Sequence, residues 1–243
     1  MQAAKNDVIL TAGLSRSLAV EDIVSIVEMV RQAPENIRVL WNLANADMKI
    51  LDKSYSGTPH YDPSERGIRF NIATDRAGIF HKPYKSVFHE LGHLIDRFMN
   101  EKFQSVVYKG GLFGDTLRAE AAKYVRLTTE RLKLRMGTKI VTESKVYKEI
   151  NRELLLISEE NLPEVSDIWH GVTQGKVDSG HGHYDFDYWT RNGGVNLPKE
   201  AFAHMFRAII QNPESLVAIK KYFPKSYGIF EDMISDFLKE AVK

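Results

Sequence analysis

A chain of 243 residues with 43% hydrophobic side chains is long enough to bury a sizeable core, as one large domain or two small ones. Thirty-three basic against thirty-two acidic residues leave a net charge of +1, which argues against nucleic acid or an anionic membrane as the main partner. With no cysteine, disulfides, thiol nucleophiles and thiolate metal sites are excluded, and any transition-metal centre must be built from His, Asp and Glu.

The first ten residues lack the continuous apolar core of a signal peptide, and no later run approaches the roughly 18 apolar residues a membrane span needs. The expectation is a soluble protein, cytoplasmic where it is made, or a piece of a larger one. Between Ser17 and Arg31, Val20, Ile23, Val24, Ile26, Val27 and Val30 recur mostly at helical spacing before Pro34 stops the pattern, which predicts a packing helix. Ile37–Trp41 reads as a short strand and Met48–Leu51 as another, with a turn-rich stretch from Ser54 to Pro63 after it. Ile68-Arg69-Phe70-Asn71-Ile72 alternates apolar and polar residues, so it predicts a strand with one buried face. Such a strand either borders a cleft and pairs with an extended peptide or is an ordinary member of a sheet.

Pro83 suits the first turn of a helix, and Val87, Phe88, Leu91, Leu94, Ile95 and Phe98 predict one from about Tyr84 to Met99. Within it stands His89-Glu90-Leu91-Gly92-His93. Positions four apart share a helix face, so His89 and His93 can reach one metal ion while Glu90 poises a water molecule. Gly92 lowers helix propensity by about 1 kcal/mol relative to Ala, a cost that fits the close approach of a substrate or of another backbone.

After Gly110-Gly111, Thr116–Met136 and Lys145–Ser158 predict two charge-rich amphipathic helices and Pro163–Val172 a shorter third. Together they form a helical insertion over about 112–175 in a single domain spanning 1–243, with surface charge of the ordinary solvated kind. Ser179 to Trp189 is rich in Gly, His, acids and aromatics, suited to a loop or strand lining a cleft. Its His181 and His183 either bind metal or substrate or hydrogen-bond within a polar loop. Pro198–Gln211 predicts a helix with Phe202, Met205, Phe206, Ile209 and Ile210 on its apolar side and Glu200 in the first turn, where a carboxylate also suits the helix dipole. Leu216–Tyr222 and Ile229–Leu238 predict two closing helical segments.

Two separated blocks together resemble one family. His89-Glu90-Leu91-Gly92-His93-Leu94-Ile95-Asp96 is similar to the active-site helix of the anthrax lethal factor type of zinc peptidase, including the glycine before the second histidine and the acid three residues after it. Glu200-Ala201-Phe202-Ala203-His204-Met205-Phe206 resembles that family's Glu-x-Phe-Ala-x-x-Phe segment, whose glutamate is the third zinc ligand. The Gly-His-x-x-Tyr-x-x-x-Tyr-Trp region and Lys220–Tyr227 also look like the zincin-like carboxy-terminal module of phage minor head proteins.

The resemblance implies an α+β, zincin-like fold, mainly helical, with a small mixed sheet before the motif helix. It implies Zn2+ held by His89, His93 and Glu200, Glu90 as general base for a zinc-activated water, and Tyr188, or alternatively Tyr184, as the group that stabilises an oxyanion. The implied activity is zinc-dependent endopeptidase action on a peptide or protein substrate. The phage resemblance implies instead a structural or weakly active module assembled with virion proteins. Asp96 is the rival third ligand, since His-Glu-x-x-His-x-x-Asp also describes a zinc-binding class; its other role is to orient a ligand histidine. This chain departs from the lethal factor pattern at Gly193, where that family has a tyrosine seven residues before the glutamate ligand, and at His204, where a glutamate is often found.

Overall fold

The computed structural model describes residues 9–78, 82–137, 140–157, 162–178 and 186–241. It is an α+β arrangement of eleven α-helices and a three-stranded mixed sheet, counted among those residues. None of these helices is long and apolar enough to cross a membrane.

Helix α1 spans Val20–Arg31 and turns Ile26 and Val30 into the core, as its periodicity predicts. Its buried Asp22 takes a two-pronged ion pair from Arg76, at 2.7 Å from both Nε and Nη2, and a 2.9 Å hydrogen bond from the Tyr84 hydroxyl. Helix α2, Glu35–Ala44, corrects the strand expected at Ile37–Trp41. Ile37, Leu40, Trp41 and Ala44 are its buried residues, at i, i+3, i+4 and i+7, so the helical period wins once the window extends past the β-prone Ile-Arg-Val stretch.

The sheet has the order β1-β3-β2, with β1 (Ile50–Asp52) parallel to β3 (Gly67–Arg69) and β2 (His60–Asp62) antiparallel to it. Alternation holds through Phe70: Ile68 and Phe70 are fully buried while Arg69 is half-buried. Two features depart from expectation. Ile72 opens a short helix, α3 (Ile72–Ala77), because the Asn71 side chain accepts a hydrogen bond from the Thr74 amide and caps it. The sheet ends in β1 on one side and on the other in β2, which comes from the stretch read as turns; β3 lies at its centre.

Helix α4 spans Lys85–Phe98. Its first turn is held by the Asp75 carboxylate, which accepts from the Ser86 and Val87 amides at 2.9 and 3.0 Å and satisfies two of the donors a helix start leaves open. Helices α5 (Leu112–Met136) and α6 (Glu143–Ile157) pair with each other, while α7 (Pro163–Val172) packs on α9. Helix α8 covers Phe186–Gly194, α9 Asn196–Gln211, α10 Pro213–Tyr222 and α11 Pro224–Ala241. Burial of Phe202, Met205 and Phe206 along α9 contributes about 1.5–3 kcal/mol for each side chain, which makes this helix the hub of the core.

Gly92 marks the crossing of α4 with α9. A Cβ there would lie 2.7 Å from the Ala203 Cα and 3.1 Å from its Cβ. The requirement is therefore another backbone, one of the two readings the sequence left open. Gly92→Ala gains about 1 kcal/mol in helix propensity, and the forced separation of two backbones costs about 1–3 kcal/mol. We expect a net fall in melting temperature, because the two helices would be forced apart. A raised melting temperature, the usual result for an unconstrained helical glycine, would show that the crossing has room.

Candidate metal centre

The two helices that cross at Gly92 and Ala203 bring three side chains together. His89 and His93 point from successive turns of α4, and Glu200 from the first turns of α9, so that one donor atom from each lies within 4.8 Å of the others. Glu200 Oε2 is 3.2 Å from His89 Nε2 and 3.4 Å from His93 Nε2. Zinc bonds of about 2.0–2.1 Å in a tetrahedron give ligand-to-ligand edges of about 3.3 Å, so these separations suit one ion between the three atoms. Glu200 Oε2 is buried and stands at ion-pair distance from both imidazoles, without hydrogen-bond geometry to either. Two imidazoles and a carboxylate, with no thiol, form a donor set that fits zinc.

The three donor groups act strongly on one another. Burial would raise Glu200, yet the His93 charge and the proximity of both imidazoles hold its carboxyl well below the usual range. Burial pulls His93 down, but the Glu200 carboxylate more than offsets it and lifts the ring to about 9. Burial, with His204 and His93 beside it, holds His89 down at about 3. Glu90, only 5% exposed, is pushed up to about 7 by burial, with the His93 charge opposing and the Glu200 charge adding.

These groups open onto a cavity of about 920 Å³. Tyr55, His60 and Tyr61 wall it from the sheet side, Glu90 and His93 from α4, and Tyr188 and Glu200 from the opposite side. The Tyr188 hydroxyl donates to Glu200 Oε1, which leaves Oε2 to face the histidines. The position seven before Glu200 explains the departure from the lethal factor pattern. Asn192, Gly193 and Gly194 have φ of 53°, 74° and 77°, forming a tight turn at the end of α8, and the tyrosine near Glu200 comes five residues before Gly193, at Tyr188. His181, His183 and Tyr184 lie outside the described residues.

Asp96 does not join the cluster. Its oxygens accept hydrogen bonds from the Ser105 amide at 2.7 Å and the Ser105 hydroxyl at 2.6 Å, which fastens the segment after α4 to that helix. Burial raises Asp96 to about 6 against the opposing effect of these bonds.

Sequence reasoning missed the support behind α9. His204 lies with its ring 4.5 Å from the His89 ring and its Nε2 3.2 Å from Asp167 Oδ2 on α7. One turn on, Arg207 donates from Nε to Glu164 Oε1 at 2.7 Å, and Glu164 Oε2 accepts from Asn212 and from the Ser215 hydroxyl. Helix α7 thus meets α9 with two buried acids three residues apart, each facing a cationic or titratable side chain. The legible signal was two acids inside Pro-Glu-Val-Ser-Asp-Ile-Trp, a run too apolar for a solvated face.

Comparisons with protein-family models, with curated proteins and with solved structures each returned no match.

Proposed function

We propose that this chain is a zinc-dependent endopeptidase with a zincin-like fold, similar in its site to the lethal factor type. The observation that carries the reading is the convergence of His89, His93 and Glu200 donor atoms within 4.8 Å of one another, from two helices whose candidate ligands lie 107 positions apart in sequence. Zinc held by these residues would polarise a peptide carbonyl and lower the pKa of a water.

The remaining chemistry belongs to the protein's own side chains. Glu90, raised to about 7, accepts the proton of the attacking water and returns it to the leaving amine nitrogen. Tyr188 turns its hydroxyl hydrogen from Glu200 Oε1 to the carbonyl oxygen as negative charge builds there. His204, packed at a tilt against the His89 ring and backed by Asp167, restrains that ring. An extended peptide suits the cavity because β2, an end strand of the sheet, contributes His60 and Tyr61 to its wall.

Metal analysis and a mixed peptide library test the proposal together. The expected result is one zinc per purified chain and cleavage of library peptides that a chelator abolishes and added zinc restores. A chain that takes up no zinc, even when supplied with it, overturns the reading.

A further inference from the structure

Resting on the peptidase reading, we propose that the cleft selects a polypeptide segment bearing an acidic side chain, which Arg97 and Lys199 receive beyond the C-terminal side of His93. Arg97 follows His89 and His93 at the next four-residue step of α4, about 6 Å farther along the helix axis, and lines the same cavity. Lys199 lines it from the first turn of α9, and its charge acts on Asp96 one residue before Arg97. Two cations from opposite helices therefore face one end of the cleft.

Neither cation has a carboxylate partner among the described residues. Arg97 reaches only the Gln104 side chain, at 3.3 Å, and Lys199 has neither hydrogen bond nor ion pair. That is a local feature, since Arg69 in the nearby sheet is tied to both Asp62 and Glu65. The three acids of the cavity are committed: Asp96 to Ser105, Glu200 to Tyr188 and the histidines, and Glu90 to the proton transfer. Both cations are exposed, so an acidic group on a bound segment would meet two charges that no described acid neutralises. Beside the cations stands an apolar lip, Val106 and the 48% exposed Val107, which suits an aliphatic or aromatic neighbour of the acidic residue. A segment pairing one acidic with one apolar side chain matches both walls.

The test uses matched fluorescein-labelled peptides that differ only in carrying Glu, Gln or Lys at each successive position. Cleavage is followed with the zinc-loaded chain, and binding by anisotropy with its Glu90→Gln form. Glu peptides are expected to exceed their Gln counterparts by roughly 3- to 20-fold, the sum of two exposed pairs, with a preference that shrinks as salt rises. Arg97→Glu with Lys199→Glu is expected to invert the preference toward Lys peptides while zinc content stays at one per chain. Cleavage without an acidic preference, or a preference that survives charge reversal, overturns this inference and leaves the peptidase reading standing. An acidic preference in binding with no cleavage of any peptide supports the cationic subsite and removes the peptidase reading. Neither binding nor cleavage of any peptide overturns both.

Discussion

Glu200→Ala is expected to abolish stoichiometric zinc binding while the chain still folds. The carboxylate supplies the only anionic donor atom of the cluster, and its Oε2 lies within 3.4 Å of both histidine nitrogens. Removing it leaves two imidazoles from one helix, and the loss in affinity should exceed the roughly 10- to 100-fold that follows removal of a mere supporting group. Alanine also removes the counter-charge that holds His93 up and the acceptor of the Tyr188 hydroxyl, so the apo protein is expected to fold with lower stability and with the His93 ring neutral at neutral pH. Asp96→Asn is the informative companion. Asp96 holds Ser105 and stands outside the cluster, so its replacement should lower thermal stability by about 1–3 kcal/mol and keep zinc at one per chain. Zinc competition titrations and melting curves on both variants decide the matter: unchanged affinity in Glu200→Ala, or zinc lost only in Asp96→Asn, would assign the third ligand to Asp96.

What was legible in the sequence follows from how local the cause is. The helix of His89 and His93 is fixed by spacing within a dozen residues, and its apolar face is read from Val87, Phe88, Leu91 and Leu94 without knowledge of the partner. The pairing of that helix with the one carrying Glu200 was legible only through the resemblance of two blocks, because no periodicity reports which helices cross. Gly92 gave the hint: a helix-weakening residue in a buried stretch needs a close neighbour, and only the fold identifies it as Ala203. Strand β2 has a composition fit for turns, and its pairing with β3 makes it a strand. Helix α2 was hidden by the opposite bias, β-branched residues in a short window. The acids of α7 were read as surface charge because their partners, His204 and Arg207, lie about forty residues downstream.

Glu90→Gln is expected to lower the rate of peptide cleavage by about 10²- to 10⁴-fold with zinc content unchanged. The substitution keeps the length and shape of the side chain and removes its ability to take a proton. Glu90 stands next to His89 in sequence but outside the donor cluster, so the ligand atoms should keep their places. Its 5% exposure makes the ionised carboxylate costly to bury, and the neutral amide should leave apo stability equal or slightly higher. That combination separates a chemical role from a structural one, because a packing residue would lose stability and activity together. Burial that raises the carboxyl to about 7 leaves it near half-ionised at neutral pH, the condition in which a group both accepts a proton from water and releases it to an amine. Glu90→Asp retains the carboxylate but draws it back by one methylene, so it should fall between wild type and Gln. Cleavage by Glu90→Gln within tenfold of wild type, at equal zinc content, would move the base to another group, and the ordering of the three rates tests proton transfer and not mere negative charge.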